Sequence, residues 1–336
     1  MGERSVRVQY IDVARGLAML SIIAGHLGNS TINRVVFTFH VPIFFLITGY
    51  FLKPNNTVKE FIAKKARTLL IPYVFTCLVI TAIGTAIGFL KGNPIEELVK
   101  WIYASIYAAG DTYYEPFYIS GIGAIWFLWA TFWGSVILRV LLEYKRGTQF
   151  FFVGVLALLG YFSTKLFWFP LSIQAGTCAL LYMYIGYLWN GLKEYIDLLP
   201  NWIKFGLFVL SIFIWVSFIF DFKSFWLVHC DYGNGLYDIF RSLCACYAVI
   251  NISKLICLIN DKVTAVLKYI GKNSIVLLCI HIVELNLLPW WNIANQVVSI
   301  SYTYKLFFIL LIKYALDLAT MYAITKTKYI SKVFGI

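Results

Sequence analysis

Leu69–Leu90, LLIPYVFTCLVITAIGTAIGFL, runs for 22 residues without one charged side chain. Coiled as an α-helix at about 1.5 Å per residue, it is about 33 Å long, enough to cross the roughly 30 Å hydrocarbon core of a bilayer. The rest of the chain follows suit. Of 336 residues, 61% are hydrophobic, 18% aromatic and only 13% charged, with a mean hydropathy of +0.78. Soluble domains run at about 45–50% apolar and about 25% charged. Twenty-eight basic and 16 acidic side chains cannot give a soluble body of this length its polar shell. Disorder is excluded by the same figures, because disordered chains are poor in apolar residues and rich in charge.

Ten apolar stretches are long enough to be spans. They lie near Tyr10–Leu27, Val35–Leu52, Leu69–Leu90, Ala124–Leu142 and Phe150–Pro170, and then near Ile173–Leu192, Trp202–Phe222, Leu236–Ile259, Ser274–Trp291 and Tyr304–Ile324. The expected fold class is all-α, a polytopic transmembrane helix bundle of about ten spans. An even number puts both termini on one side. That side collects 18 lysines and arginines, Arg4, Arg7, Lys193, Lys204 and Lys254 among them, against five (Arg34, Lys91, Lys100, Lys165, Lys223) on the other. By the positive-inside rule both termini are cytoplasmic. The net charge of +12 is then largely topogenic and calls for no nucleic-acid partner. Asp12 and Arg15 interrupt the first stretch and no small-residue cleavage pattern follows it, so it is expected to stay as a span. With no repeat and no room for an appended soluble domain, residues 1–336 read as a single integral membrane domain.

The longest connection, between Lys91 and Gly123, lies on the outer side. Its first half (Ile95, Leu98, Val99, Ile102, Ile106) has helical periodicity and suits the interface. Its second half mixes Asp111, Glu115 and three tyrosines, fitting either a polar ligand or an aromatic belt. Seven cysteines form no CxxC pair and are expected to be small apolar packing groups; Cys230, beside His229 in an outer loop, is the one with a redox alternative. Gly84 and Gly88 form a small-xxx-small face that lets a neighbouring helix approach.

Polar groups inside the spans carry the functional signal, since a charge at the bilayer centre costs about 2.5–3.5 kcal/mol on insertion scales. The first span holds Asp12, Arg15 and His26. Arg15 and His26 are eleven residues apart, three turns plus about 20°, so they share a face roughly 16 Å apart along the axis. Asp12 is one turn from Arg15 and can pair with it. His40, in the antiparallel second span, falls at a depth similar to His26. Thr48 and Gly49 follow; the glycine serves either a close helix approach or a thin ligand. Lys64 and Arg67, at i, i+3 before the third span, suit a phosphate or simply set topology. His281 and Glu284 share a face of the ninth span, and Lys313 and Asp317 share one on the tenth. These four read either as interhelical pairs or as lining of a substrate cavity. No metal-ligand spacing, GxSxG or phosphate-binding glycine loop is present.

Asp12-x-x-Arg15, the Arg15–x10–His26 spacing, Phe44-Phe45-Leu46-Ile47-Thr48-Gly49-Tyr50-Phe51, Lys64-x-x-Arg67 before Ile71-Pro72-Tyr73, and Ala124-Ile125-Trp126-Phe127-Leu128 stand in an order that resembles acyltransferase family 3. His40-Val41-Pro42-Ile43-Phe44-Phe45 is similar to its fucose 4-O-acetylase-like branch. Lysine at 64 and threonine at 48 depart from the family's commoner arginine and serine. The resemblance implies a bacterial, ten-span protein of the cell membrane that O-acylates carbohydrates. It implies a cytoplasmic acyl-CoA donor, most simply acetyl-CoA, as a substrate rather than a resident cofactor, and a cell-surface or lipid-linked glycan as acceptor. Lys64 and Arg67 would hold the donor's phosphates, Arg15 its pantetheine arm or thioester oxygen, and Trp126 would stack on donor or sugar. His26, with His40 at its level, is expected to act as general base, since an imidazole with an ordinary pKa near 6.5 suits proton abstraction at neutral pH; a covalent acyl-His relay is the other route. Asp12, Thr48, Gly49, His281 and Glu284 would support the site. Two rival classes are a small-solute transporter, favoured by intramembrane charges but lacking an inverted repeat, and a non-catalytic assembly subunit.

Overall fold

The computed structural model describes residues 8–297 and 301–335; Arg4 and Arg7, counted among the topogenic charges, lie outside the described residues. Helix α1 (Gln9–Gly25) leads to α2 (Ser30–Val36), whose first turn is capped by Asn29 accepting the Ile32 N–H at 3.0 Å. The chain turns through residues 37–41 before α3 (Pro42–Tyr50). The stretch expected as one second span is therefore broken at His40. Pro42 has no N–H to give the carbonyl of Thr38 four residues back, and that carbonyl instead accepts the Ser242 hydroxyl at 2.7 Å.

A capping box of Thr57 and Glu60 starts α4 (Val58–Lys65). One π-helical turn, Ala66–Leu70, joins it to α5 (Ile71–Lys91). Gly92, at φ +82°, stops α5 in the left-handed region that glycine adopts without penalty. Helix α6 (Pro94–Tyr107) then folds back on α5. A Cβ at Gly84 would lie 2.3 Å from the Trp101 indole nitrogen, so the small-residue face does admit a neighbouring helix. Next come α7 (Trp126–Leu141), α8 (Arg146–Ser163), α9 (Ile173–Gly191), α10 (Lys193–Leu198), α11 (Asn201–Phe220) and α12 (Leu236–Ile259). The last are α13 (Asp261–Lys272), α14 (Ser274–Leu287), α15 (Trp290–Val297), α16 (Tyr302–Lys326) and α17 (Lys328–Val333). Among the described residues there is no strand, only isolated β-bridges in the loops at 109–121 and 226–231.

The protein is thus an all-helical membrane protein. Among the described residues, five helices are long and apolar enough to cross a membrane: Val58–Lys91, Pro170–Gly191, Asn201–Phe220, Leu236–Ile259 and Tyr302–Lys326. The pair α13 and α14, bent by 73°, makes a sixth if taken as one span. The other stretches expected to span fall on α1 (17 residues), the broken α2–α3 segment, α7 (16 residues) and α8 (18 residues).

Two glycine pairs bring backbones into direct contact. On α3 and α9, a Cβ at Gly49 would stand 1.7 Å from the Met183 carbonyl oxygen, and one at Gly186 2.0 Å from that of Leu46. On α1 and α13, Gly16 and Gly271 face the carbonyls of Leu267 and Asp12 in the same way. Gly49 therefore serves helix approach rather than a thin ligand. Near one end of the bundle Arg241 is buried, donating to Asp238 at 2.9 Å and Asp221 at 3.1 Å and stacking over Phe218. All seven cysteines are free and five are buried. Burial pushes the Cys230 thiol well up, which removes the thiolate that redox exchange needs.

Candidate active site

Helix α1 carries Arg15 in its first half and is capped by His26 at its C-terminal end, and each lines a different cavity. His26, at its C-terminal cap, borders a cavity of about 400 Å³ with His40, Trp126, Trp226 and Asp111. Arg15 borders one of about 250 Å³ with Lys65, Lys272, Thr48 and Thr68. Ile22, Phe127 and Leu278 line both, so the two cavities lie on either side of a shared apolar wall. Together they follow the α1 face on which Met19 and Ile22 separate the arginine from the histidine.

The hydrogen bonds assign the histidine tautomers. His26 Nδ1 lies 2.8 Å from the Ile22 carbonyl, which only accepts, so Nδ1 carries the proton and Nε2 the lone pair. His281 Nε2 is 3.2 Å from that same Nδ1 and must therefore be an acceptor. The proton of His281 then sits on its Nδ1, which donates to Glu284 Oε1 at 2.7 Å. Asp317 Oδ2 lies 3.4 Å from that nitrogen, Lys313 Nζ is 2.9 Å from Glu284 Oε1, and the Trp290 indole N–H donates to the other Glu284 oxygen. All of His281, Glu284, Lys313 and Asp317 are buried. A neutral imidazole at the cavity wall thus backs onto a second imidazole, two carboxylates and one ammonium. Such a chain can take a proton at His26 Nε2 and stabilise the imidazolium that results. His40 repeats the first step, its Nδ1–H donating to the Val36 carbonyl at 2.5 Å.

His281, Glu284 and Asp317 also bring potential ligand atoms within 4.8 Å of one another, a grouping that no linear spacing discloses. The ammonium of Lys313 already occupies the cationic place beside Glu284, which makes the cluster an ion-pair network first.

At the basic cavity the structure sorts the charges. Lys65 and Lys272 line it, whereas Lys64 and Arg67 are exposed beside it. Adjacent residues on a helix differ by about 100° in direction, and the π-helical turn shifts the register further. Asn273 and Ser274, at the bend where α14 begins, also line this cavity, adding a helix N-terminus, which favours anions. Arg15 Nη1 is 3.9 Å from Asp12 and its guanidinium lies over the Phe51 ring. Trp126, expected on the donor or sugar, lines the histidine cavity and not the basic one, because α7 begins there.

Sequence reasoning missed Lys65, Lys272 and the rim of the histidine cavity. There the two bridged loops meet: His229 Nε2 lies 3.2 Å from Asp111, Tyr113 bonds His229 Nδ1 at 3.1 Å, and Trp226 stacks on the imidazole. The hydrogen bond from His229 holds the Asp111 carboxyl below its ordinary value. The clustering of Asp111 with tyrosines hinted at this rim; its partner 118 residues away gave no local signal.

A family profile described as an acyltransferase domain matches residues 8–319. Among curated proteins the chain is similar to the nodulation protein NolL of Mesorhizobium japonicum, with 27% identity over 150 residues, 40% of this chain and 36% of that protein. The match therefore spans little more than a third of that relative's length. No solved structure matches the chain.

Proposed function

The chain belongs to the acyltransferase domain family, and from that premise we propose that it is a ten-span O-acyltransferase of the cell membrane with both termini cytoplasmic. It moves an acyl group, most simply acetyl, from cytoplasmic acyl-CoA to a hydroxyl of a cell-surface or lipid-linked carbohydrate. The single observation that carries this reading is the pair of cavities that share the wall of Ile22, Phe127 and Leu278, one basic and the other histidine-lined.

Lys65, Lys272 and Arg15 hold the donor's phosphates and the start of its pantetheine arm, with Lys64 and Arg67 drawing the anion toward the mouth. The roughly 16 Å from Arg15 to His26 matches an extended pantetheine, which carries the thioester past the shared wall into the histidine cavity. Of the two roles expected for Arg15, the separation supports the arm and not the thioester oxygen. The acceptor hydroxyl occupies the histidine cavity, where His40 and the aromatic walls orient it. Its oxygen attacks the thioester carbonyl carbon while His26 Nε2 takes its proton. The C–S bond then breaks, and the proton passes from His26 to the departing sulfur, leaving an ester and free CoA. His281 with Glu284 and Asp317 steadies the transient positive charge on His26. A base so placed contributes about 10²–10⁴-fold.

The test is purified protein reconstituted in proteoliposomes, with CoA thiol release followed against added glycans. His26→Ala should abolish release at unchanged membrane level. Activity retained in that variant removes His26 from the mechanism, and solute flux without acyl-CoA favours the carrier reading instead.

A further inference from the structure

A second basic cavity, of about 200 Å³, opens at the start of α1 and shares no lining residue with the Arg15 cavity. Lys193, Lys204 and Lys254 converge on it from α10, α11 and α12, against a wall of Tyr10, Trp189 and Tyr247. Among the described residues none of the three lysines has a carboxylate within 4.0 Å; Lys204 Nζ donates to the Asp197 carbonyl at 2.7 Å, and Lys254 Nζ lies over the Tyr10 ring at 5.0 Å. Asp197 is the one acidic residue on the wall, so the cavity carries an excess of two positive charges. Topology alone would need lysines on that side, not lysines gathered round a hollow.

The surroundings identify the source of the anion. Tyr195, Trp202 and Phe205, close in sequence to Lys193, Asp197 and Lys204, are 71%, 74% and 67% exposed, aromatics of the kind that sit at headgroup depth. From there α11 runs with only 11% of its apolar window buried, offering a long face to acyl chains. We infer that this cavity holds the phosphodiester of an anionic phospholipid, with its chains laid along α11. Basic pockets between spans at the cytoplasmic face are suited to such headgroups.

The test uses the full chain purified in detergent, with native mass spectrometry against phosphatidylglycerol and phosphatidylcholine. Phosphatidylglycerol should be retained in preference, and its affinity should fall about fivefold for each of Lys193, Lys204 and Lys254 replaced by glutamine. Asp197→Asn, which removes the opposing carboxylate without touching a lysine, should raise retention about fivefold. Equal retention of the two lipids, or a triple lysine variant and Asp197→Asn that both bind as wild type, would overturn the assignment. Lysine-dependent protection by adenosine 3′,5′-bisphosphate without phosphatidylglycerol preference would also overturn it, giving the cavity to a soluble nucleotide. CoA binding at the Arg15 cavity should be unchanged in these variants, which separates this site from the donor path.

Discussion

Glu284→Gln tests the histidine chain at its far end, away from the cavity. In the wild type, His281 can accept from His26 only because its own proton sits on Nδ1, facing Glu284 Oε1 at 2.7 Å. A glutamine amide can turn its NH₂ toward that nitrogen and so favour the tautomer with the proton on Nε2, where it opposes His26 Nδ1–H. The substitution also removes the carboxylate that Lys313 contacts at 2.9 Å. Lys313 is 1% exposed, and leaving a buried charge without its partner costs about 3–5 kcal/mol. The single variant should therefore lose both stability and rate. Adding Lys313→Met replaces the orphaned ammonium with an apolar chain of similar length and should recover most of the stability. The rate should not return: kcat is expected to stay about 10²–10⁴-fold down, the range for a mispositioned general base, with CoA affinity unchanged. Thermal unfolding in detergent, CoA titration calorimetry and thiol-release kinetics separate the three quantities. A double variant that unfolds like wild type and turns over within a factor of three of it would refute the role given to the His26–His281–Glu284 chain.

Four further outcomes follow from the geometry. Lys65→Ala should weaken CoA binding about 10- to 100-fold, the weight of a charge-assisted hydrogen bond, whereas Lys64→Ala with Arg67→Ala should cost less because both side chains are exposed beside the cavity; calorimetry ranks them. Ile22→Trp, which enlarges a side chain on the wall between the two cavities, should cut acyl transfer at least about 100-fold while CoA still binds, and normal turnover would show that the cavities are not one path. Gly49→Ala drives a methyl into the Met183 carbonyl and should cost about 1–3 kcal/mol in denaturation measurements, while Gly154→Ala in α8, with nothing within 4 Å, should be neutral or stabilising by up to about 1 kcal/mol. Arg241→Met leaves the 1% exposed Asp238 without its partner and should lower stability by about 3–5 kcal/mol, seen as a fall in melting temperature.

The membrane class, most helix positions and the Arg15–His26 face were legible in the sequence because each rests on local regularities. An uncharged run must leave water, and a 3.6-residue period sets which side chains share a face. His281 with Glu284, and Lys313 with Asp317, were visible as two pairs for the same reason. That the pairs meet, and that His281 reaches His26 across 255 positions, depended on how α1, α14 and α16 pack. The break at His40 was hidden for a related cause: a proline near the start of an apolar run either begins a helix or kinks one, and here the Ser242 hydroxyl on α12 satisfies the carbonyl that Pro42 abandons.

Local reading also could not choose between Lys64 and Lys65. The two are chemically equal, and only the docking of α4 through its π-helical turn aims the second into the basic cavity. Asp111 and His229 lie in irregular loops without periodicity, so no pattern announced their pairing. The sequence by itself determined that this chain is a helical membrane protein with an arginine and a histidine on one face of its first apolar helix, since hydropathy and helical period act over a few turns. The tertiary structure alone decided which lysines face the cavities, which groups hold the histidine's proton, and that two cavities share one wall, because each of these requires side chains from distant helices to occupy the same few ångströms.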